Sequence, residues 1–114
     1  MSLVLSEFDC PCCGMNRMKQ GTFNRFAFAR ELAQVPFVIT SGCRCESHNE
    51  AIHGNKTSSH LKCEAGDIAC DASWNRWKII FALKDAGFLR IGIGEGFVHA
   101  DTDILKPQGV IWLY

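Results

Sequence analysis

Five side chains with metal-binding or anion-binding chemistry stand out in the sequence: Arg44, His60, Asp67, His99 and Asp101. Zinc accepts imidazole nitrogens and carboxylate oxygens, and a site with three protein ligands leaves one coordination position open for water. His60, Asp67 and His99 form such a three-ligand set. An arginine offers a planar pair of donors that fits an anionic substrate group. The pattern therefore predicts one catalytic zinc ion with an anion-binding side chain beside it.

The spacing of these residues dictates which elements must hold them. Seven positions separate His60 from Asp67, and an odd offset places two side chains on opposite faces of one continuous strand. We therefore expect His60 in a loop and Asp67 on the strand that follows it. His99 lies in an extended segment, and Asp101 shares its face because side chains alternate along a strand. Asp101 would orient the His99 imidazole or contact the substrate.

Hydrolysis also needs a group that takes a proton from water, and the sequence offers Glu95 as the general base, with Asp101 as the alternative. Glu95 has the same parity as His99, but four residues of extended chain span roughly 13 Å. Glu95 reaches a metal-bound water only if Gly94 and Gly96 let the chain curl inward.

The elements that must position these residues predict an α+β fold, with one small antiparallel sheet flanked by helices. We expect one domain over residues 1–114, beginning with an irregular, cysteine-rich segment over 1–21. The last part of the chain, 88–114, alternates β-forming residues with glycines and predicts an antiparallel meander of two or three strands. Helical spacing, caps and β-rich runs predict helices over 22–34, 46–53 and 72–86, and strands over 37–40 and 64–70.

Composition excludes several classes of protein. The 114 residues carry 12 basic and 12 acidic side chains, so no basic excess favours nucleic acid as a partner. Apolar runs are too short for membrane insertion. The N-terminus lacks both a charged region and a long apolar region, so we expect no signal peptide.

Seven cysteines are many for this length, and their odd number argues against a simple disulfide framework. We expect mostly reduced thiols, packed as small apolar groups. Two alternatives remain open: a disulfide between the N-terminal cysteines and Cys43 or Cys45, and a second metal held by these same residues. Cys63 could also compete for the zinc at His60. The cysteines are Cys10, Cys12, Cys13, Cys43, Cys45, Cys63 and Cys70.

Spaced segments of the chain resemble the zinc D-alanyl-D-alanine carboxypeptidase family, which includes short phage and prophage peptidoglycan peptidases. The resemblance runs from about residue 7 to 114, and it implies the hedgehog/D,D-peptidase fold with a single zinc ion on His60, Asp67 and His99. It also implies that Arg44 binds a carboxylate or carbonyl of the peptide and that Ser58 lines the substrate subsite. The segments are Ser41-Gly42-Cys43-Arg44, Glu46-Ser47-His48-Asn49, Ser58-Ser59-His60-Leu61, Ala65-Gly66-Asp67-Ile68, Gly92-Ile93-Gly94 and Phe97-Val98-His99-Ala100-Asp101.

The activity implied by this resemblance is hydrolysis of peptide bonds in peptidoglycan stem peptides. The enzyme would be a D,D-carboxypeptidase or an L-alanyl-D-glutamate-type endopeptidase. It would be made in a bacterial cytoplasm and act on the cell wall or within a phage particle, with phage tail or lysis proteins as further partners. The chain departs from the family by having Cys43 for an aromatic residue, Cys63 for a glycine and Gly96 for an acid. The alternative is therefore a non-catalytic zinc-containing domain that binds peptidoglycan or builds a phage tail.

Overall fold

A five-stranded sheet and three α-helices form the body of the protein. The computed structural model describes residues 2–114, so Met1 of the expected N-terminal segment lies outside the described residues. Among residues 2–114, none of the helices has the length and apolarity needed to cross a bilayer. The elements are a 3₁₀ helix (Leu5–Phe8), α1 (Gln20–Ala33), β1 (Ile39–Ser41), α2 (Glu46–Ala51), β2 (Ala65–Ala69), α3 (Ser73–Asp85), β3 (Arg90–Ile93), β4 (Phe97–Asp101) and β5 (Val110–Leu113).

The strands lie in the order β1-β2-β4-β3-β5, and every pairing is antiparallel except the last. This confirms the α+β class with a mostly antiparallel sheet. The expectation of a purely antiparallel meander at the end of the chain is wrong, because β5 runs parallel to β3. One edge of β4 is already occupied by β2 and the other by β3. Residues 102–109 therefore carry the chain past the first residue of β3 to the free edge of that strand, where β5 pairs with it. At the end of this connection, the Gly109 and Val110 amides both donate to the Leu89 carbonyl.

The hydrophobic core lies between the sheet and helices α1 and α3. Its fully buried side chains include Phe26, Ile68, Leu83 and Val98. Helix α3 begins and ends near the expected positions. The sequence predicts an apolar face of Trp74, Trp77, Ile80, Phe81 and Ala82 from their helical spacing, and this prediction is wrong in part. Trp74, Trp77 and Phe81 are exposed, whereas Ala82 is buried together with Ile79 and Leu83. These three buried residues lie at i, i+3 and i+4, so they share the helix face that packs into the core.

A disulfide between Cys43 and Cys63 corrects the expectation that these two thiols are free. It also means that Cys63 has no free thiolate that could compete for a metal ion at His60. The segments that carry the two cysteines pair through a hydrogen bond from the Arg44 amide to the His60 carbonyl, 3.1 Å long. This contact brings their Cα atoms within 4.5 Å, a separation that suits a disulfide. The other five cysteines are unpaired.

The sheet has a core face and a site face, and successive residues of β2 point to one and then the other. Gly66 lies on the core face, where a Cβ atom would stand 2.8 Å from the Phe26 ring and 2.9 Å from the Phe8 ring. Asp67 therefore points away from the helices. Its cross-strand partner is His99 on β4, and His99 is in turn opposite Gly92 on β3. The sequence alternation thus separates core packing from the chemistry on the opposite face.

Replacing Gly66 with alanine tests the close packing beneath the site. We expect Gly66→Ala to lower the free energy of unfolding by about 1–3 kcal/mol, because the added methyl group forces two buried aromatic rings to move. Gly96→Ala is the matched control, since a Cβ there meets nothing within 4 Å. Urea unfolding of both metal-loaded variants gives the comparison. Equal stability of the two variants would contradict the packing described here.

Candidate metal centre and substrate cavity

Three buried side chains converge on one point at the site face of the sheet. Asp67 Oδ1 lies 3.2 Å from His60 Nε2 and 2.8 Å from His99 Nδ1, and all three ligand atoms are within 4.8 Å of one another. As expected, His60 comes from the loop before β2, whereas Asp67 projects from β2 and His99 from β4. Each residue is at most 9% exposed. The structure therefore brings together the three predicted ligands.

The second nitrogen of each imidazole determines what the first can do. His60 Nδ1 lies 2.7 Å from the Gly42 carbonyl oxygen, which can only accept, so Nδ1 carries the hydrogen. His99 Nε2 lies 2.6 Å from Asp101 Oδ2 and donates to that carboxylate. In neutral histidines, His60 Nε2 and His99 Nδ1 then both direct lone pairs at Asp67. Two lone pairs and a carboxylate that face one another are the donor set of a divalent cation.

The pKa shifts of Asp67 and His99 both favour a positive charge within this cluster. Burial raises the pKa of Asp67, but hydrogen bonds from His60 and His99 outweigh it and hold that pKa well below its usual range. Burial lowers the pKa of His99, whereas its contacts with Asp101 and Asp67 raise it above the usual value overall. A metal ion bound between these groups would supply the positive charge that both shifts favour. These residues fit a zinc ion.

Asp101 acts on His99 and is itself held in place. Its Oδ2 accepts from His99, while Oδ1 accepts from Arg90 Nε at 2.7 Å and from the Asp103 amide at 3.1 Å. The Arg90 guanidinium also donates to the Pro107 carbonyl and lies over the Trp112 ring. Because both oxygens of Asp101 are engaged, its geometry suits orientation of the His99 imidazole, which is one of the three roles expected for it.

Arg44 lies beside the three ligands with its guanidinium held from two sides. Its Nε donates to Ser41 Oγ at 3.0 Å and one terminal nitrogen donates to Asn49 Oδ1 at 3.2 Å. The other terminal nitrogen lies 3.8 Å from Asp67 Oδ2. The side chain is only 13% exposed, so its charge faces the cavity rather than open solvent. Such a fixed cation can bind an anionic or carbonyl oxygen of a ligand beside the three candidate metal ligands.

A cavity of about 400 Å³ opens over the three ligands. One wall is aromatic, built by Phe97, Trp112 and Tyr114, and the His99 ring lies 5.5 Å from the Trp112 ring. Gly92 makes room for this wall, because a Cβ atom there would stand 2.7 Å from both Trp112 and Tyr114. The opposite side is polar and carries the basic Arg44. The cavity therefore combines a candidate metal-binding set, an anion-binding group and an apolar surface.

Of the two remaining predicted site residues, Ser58 lies at the cavity and Glu95 lies outside it. Ser58 lines the cavity, and its Oγ accepts the His60 amide hydrogen at 3.2 Å. Glu95 is exposed in the turn between β3 and β4 and does not line the cavity. Its carbonyl oxygen, rather than its carboxylate, makes a contact, accepting from Arg76 at 2.8 Å. The chain does not curl inward at this turn, so the role of Glu95 as base stays a prediction without support from position.

Several residues that line the cavity were not predicted from the sequence. Trp112 and Tyr114 have the two-residue alternation of a strand face, a signal that was present but could not be assigned without knowing that β5 pairs with β3. Arg90 is an isolated arginine with no local motif. Lys106, whose Nζ donates to Ser59 Oγ at 3.0 Å, lies in the loop after β4, where no periodicity applies.

Asp103 fastens the loop that carries His60 to the end of β4. Its buried carboxylate accepts from Ser59 Oγ at 2.8 Å and from Lys62 Nζ at 2.9 and 3.0 Å. Burial raises the pKa of Asp103, but the hydrogen bonds from Lys62 and Ser59 outweigh it and bring that pKa down to about 2. The ionised carboxylate is therefore part of what keeps His60 over the sheet.

Comparison with protein families connects this geometry with a known group. The family model described as Peptidase M15 matches residues 4–101, which covers all three ligands and most of the chain. Comparison with curated proteins gives no match.

The Asp103→Asn variant tests the anchoring of the His60 loop. A carboxylate whose pKa is depressed in the folded state stabilises that state above its unfolded pKa, and the stabilisation is lost as the pH falls through the folded value. We expect the variant to be less stable at pH 7 by on the order of 1–2 kcal/mol, with the difference disappearing between about pH 4 and pH 2. Urea unfolding in chelator over this pH range measures it, with the exposed Asp71→Asn as control. A difference that does not change with pH would contradict the assignment.

Proposed function

The chain belongs to the Peptidase M15 family, and on that premise we propose that it is a zinc-dependent metallopeptidase that cleaves peptidoglycan stem peptides. The observation that carries the proposal is the meeting of two imidazole lone pairs and the Asp67 carboxylate at the floor of an open cavity. Three protein ligands in a cavity characterise catalytic rather than structural zinc sites, which are closed by four ligands. The enzyme would act on the bacterial cell wall.

His60, Asp67 and His99 would hold one zinc ion. When bound, zinc polarises the scissile carbonyl and lowers the pKa of its water ligand towards neutrality. The protein supplies orientation: the Gly42 carbonyl and the Asp101 carboxylate fix the two imidazoles in the tautomers that leave a lone pair for the metal. The aromatic wall would exclude water from one side of the bound peptide.

Charge around the cavity supports an acidic peptide as substrate. Arg44 and Lys106 both line it, and the fixed orientation of the Arg44 guanidinium matches the two oxygens of a carboxylate. Stem peptides carry free carboxylates and D-amino acids. Cleavage at a terminal D-alanine would present a carboxylate to Arg44 next to the metal, whereas cleavage at an L-alanyl-D-glutamate bond would present an internal carbonyl or a side-chain carboxylate.

The position of Glu95 favours a second candidate function. The only carboxylates that line the cavity among residues 2–114 are Asp67 and Asp101, and both are engaged as described above. With Glu95 exposed in a turn and Gly96 in place of an acid, the chain would act as a zinc-containing domain that binds peptidoglycan or builds a phage tail. In that case the cavity would hold the stem peptide without cutting it.

Hydrolysis of purified muropeptides distinguishes the two functions. We expect the zinc-loaded protein to release new amino groups, and mass spectrometry of the products identifies the bond that is cut. His60→Ala should abolish release because the metal loses a ligand, whereas His48→Ala, a histidine outside the cavity, should retain it. If the wild-type protein binds zinc and muropeptides but releases no amine, the non-catalytic function replaces the enzymatic one.

Arg44→Lys tests how the substrate is held. Lysine keeps the positive charge but loses the planar pair of donors, so we expect KM to rise about tenfold, corresponding to about 1.4 kcal/mol of binding free energy, with little change in kcat. The exposed Arg25→Lys makes the same replacement away from the cavity and serves as control. Unchanged kinetics in Arg44→Lys would mean that Arg44 does not bind the substrate.

A further inference from the structure

A second group of metal-binding side chains lies on the surface near Arg44, separate from the three ligands of the cavity. Cys10, Cys12, Cys13 and Cys45 place their sulfur atoms within 4.8 Å of one another. None of them lines the cavity or takes part in the disulfide. The function proposed above makes no use of them, so their convergence needs its own explanation.

The backbone between Cys10 and Gly14 is folded into a tight turn that directs sulfurs to one side. The Gly14 amide donates to the Cys10 carbonyl at 2.8 Å, and Gly14 has a φ of 76°, a conformation that glycine adopts without strain. In the sequence, two residues lie between Cys10 and Cys13, which is a cysteine spacing found in structural zinc sites. The turn therefore brings two of the candidate ligands, Cys10 and Cys13, together within one short segment.

The distances between the sulfur atoms are close to those expected around a single tetrahedral zinc ion. Zinc–sulfur bonds of about 2.3 Å in a tetrahedron place sulfur atoms roughly 3.8 Å apart. Cys10 Sγ lies 3.8 Å from Cys12 Sγ, and Cys12 Sγ lies 3.2 Å from Cys45 Sγ. A small contraction or expansion of the group therefore suffices to surround one ion.

Backbone amides already favour negative charge on these sulfurs. The Cys45 amide donates to Cys10 Sγ and the His48 amide donates to Cys45 Sγ, each at 3.4 Å. Burial raises the pKa of the Cys10 thiol, but hydrogen bonds from backbone amides lower it to about 6. The hydrogen bond with Cys45 raises the pKa of Cys12 to about 12, because a second thiolate beside the first is unfavourable without a cation.

We propose that Cys10, Cys12, Cys13 and Cys45 bind a second, structural zinc ion as four thiolates. Binding would release the protons of those sulfurs that are still thiols to solvent, and no electron transfer is involved. Because four protein ligands close the coordination sphere, this ion would have no position for water or substrate. The site would tie the N-terminal turn to the segment that carries Arg44.

The location of Cys45 gives this ion a structural purpose. Cys45 is the residue that precedes the first turn of α2, and it directly follows Arg44. Asn49, on the same helix, accepts a hydrogen bond from the Arg44 guanidinium. An ion bound at Cys45 would therefore fix the start of α2 and, through it, one of the two contacts that orient Arg44.

Metal content and cobalt spectroscopy of the full chain, purified anaerobically without added thiols, test the proposal. We expect two zinc ions per wild-type chain and one in His60→Ala. Cobalt in the second site should give thiolate-to-metal charge-transfer absorption, which a site of histidine and aspartate cannot give. This absorption should persist in His60→Ala and in Cys70→Ser, and should be lost or strongly reduced in Cys12→Ser and Cys13→Ser, whose parent side chains are exposed.

Three results would overturn this second site. One is a single zinc ion in the wild-type chain that disappears completely in His60→Ala, without any thiolate absorption. Another is a disulfide between Cys12 and Cys45 in the zinc-supplemented protein, detected by mass spectrometry after alkylation. The third is equal alkylation of the four cysteines of the wild-type chain with zinc and with chelator, a measurement that does not depend on how the variants fold. None of these three results tests whether the cavity that contains His60 hydrolyses peptides.

Discussion

The site depends on one electrostatic constraint, which is that three electron-pair donors face one another in a buried place. The Gly42 carbonyl and the Asp101 carboxylate take the hydrogens of the two imidazoles, so the remaining nitrogens of His60 and His99 are directed at the Asp67 carboxylate. Such a group is repulsive unless a proton or a metal ion lies between its members. Asp101 is held by Arg90 and the loop of His60 by Asp103, so supporting contacts keep the donors together.

Much of this arrangement could be predicted because it follows from local rules. The odd offset between His60 and Asp67 required a loop and a strand, and the two-residue repeat of a strand placed Asp101 beside His99. The spaced motifs around these residues indicated the family, which the comparison confirmed, and the element order indicated the α+β class.

What could not be predicted depends on contacts between distant segments. The aromatic wall needs β5 to lie beside β3, and nothing in residues 110–114 says which strand they pair with. The disulfide needs the Arg44 and His60 segments to be adjacent, which only the folded chain shows. The exposed aromatic residues of α3 illustrate the same limit, since spacing identifies the faces of a helix but not which of them meets the sheet.

The row of residues across the site face has a geometric consequence for any bound peptide. Asp67, His99, Gly92 and Trp112 are successive cross-strand partners on neighbouring strands. Neighbouring strands lie about 4.8 Å apart, so the backbone positions of His99 and Trp112 are separated by roughly 10 Å. That is the length of about three residues of extended chain. Sheet hydrogen bonding sets this backbone separation, and the two side chains span part of it, since the His99 and Trp112 ring centroids lie only 5.5 Å apart.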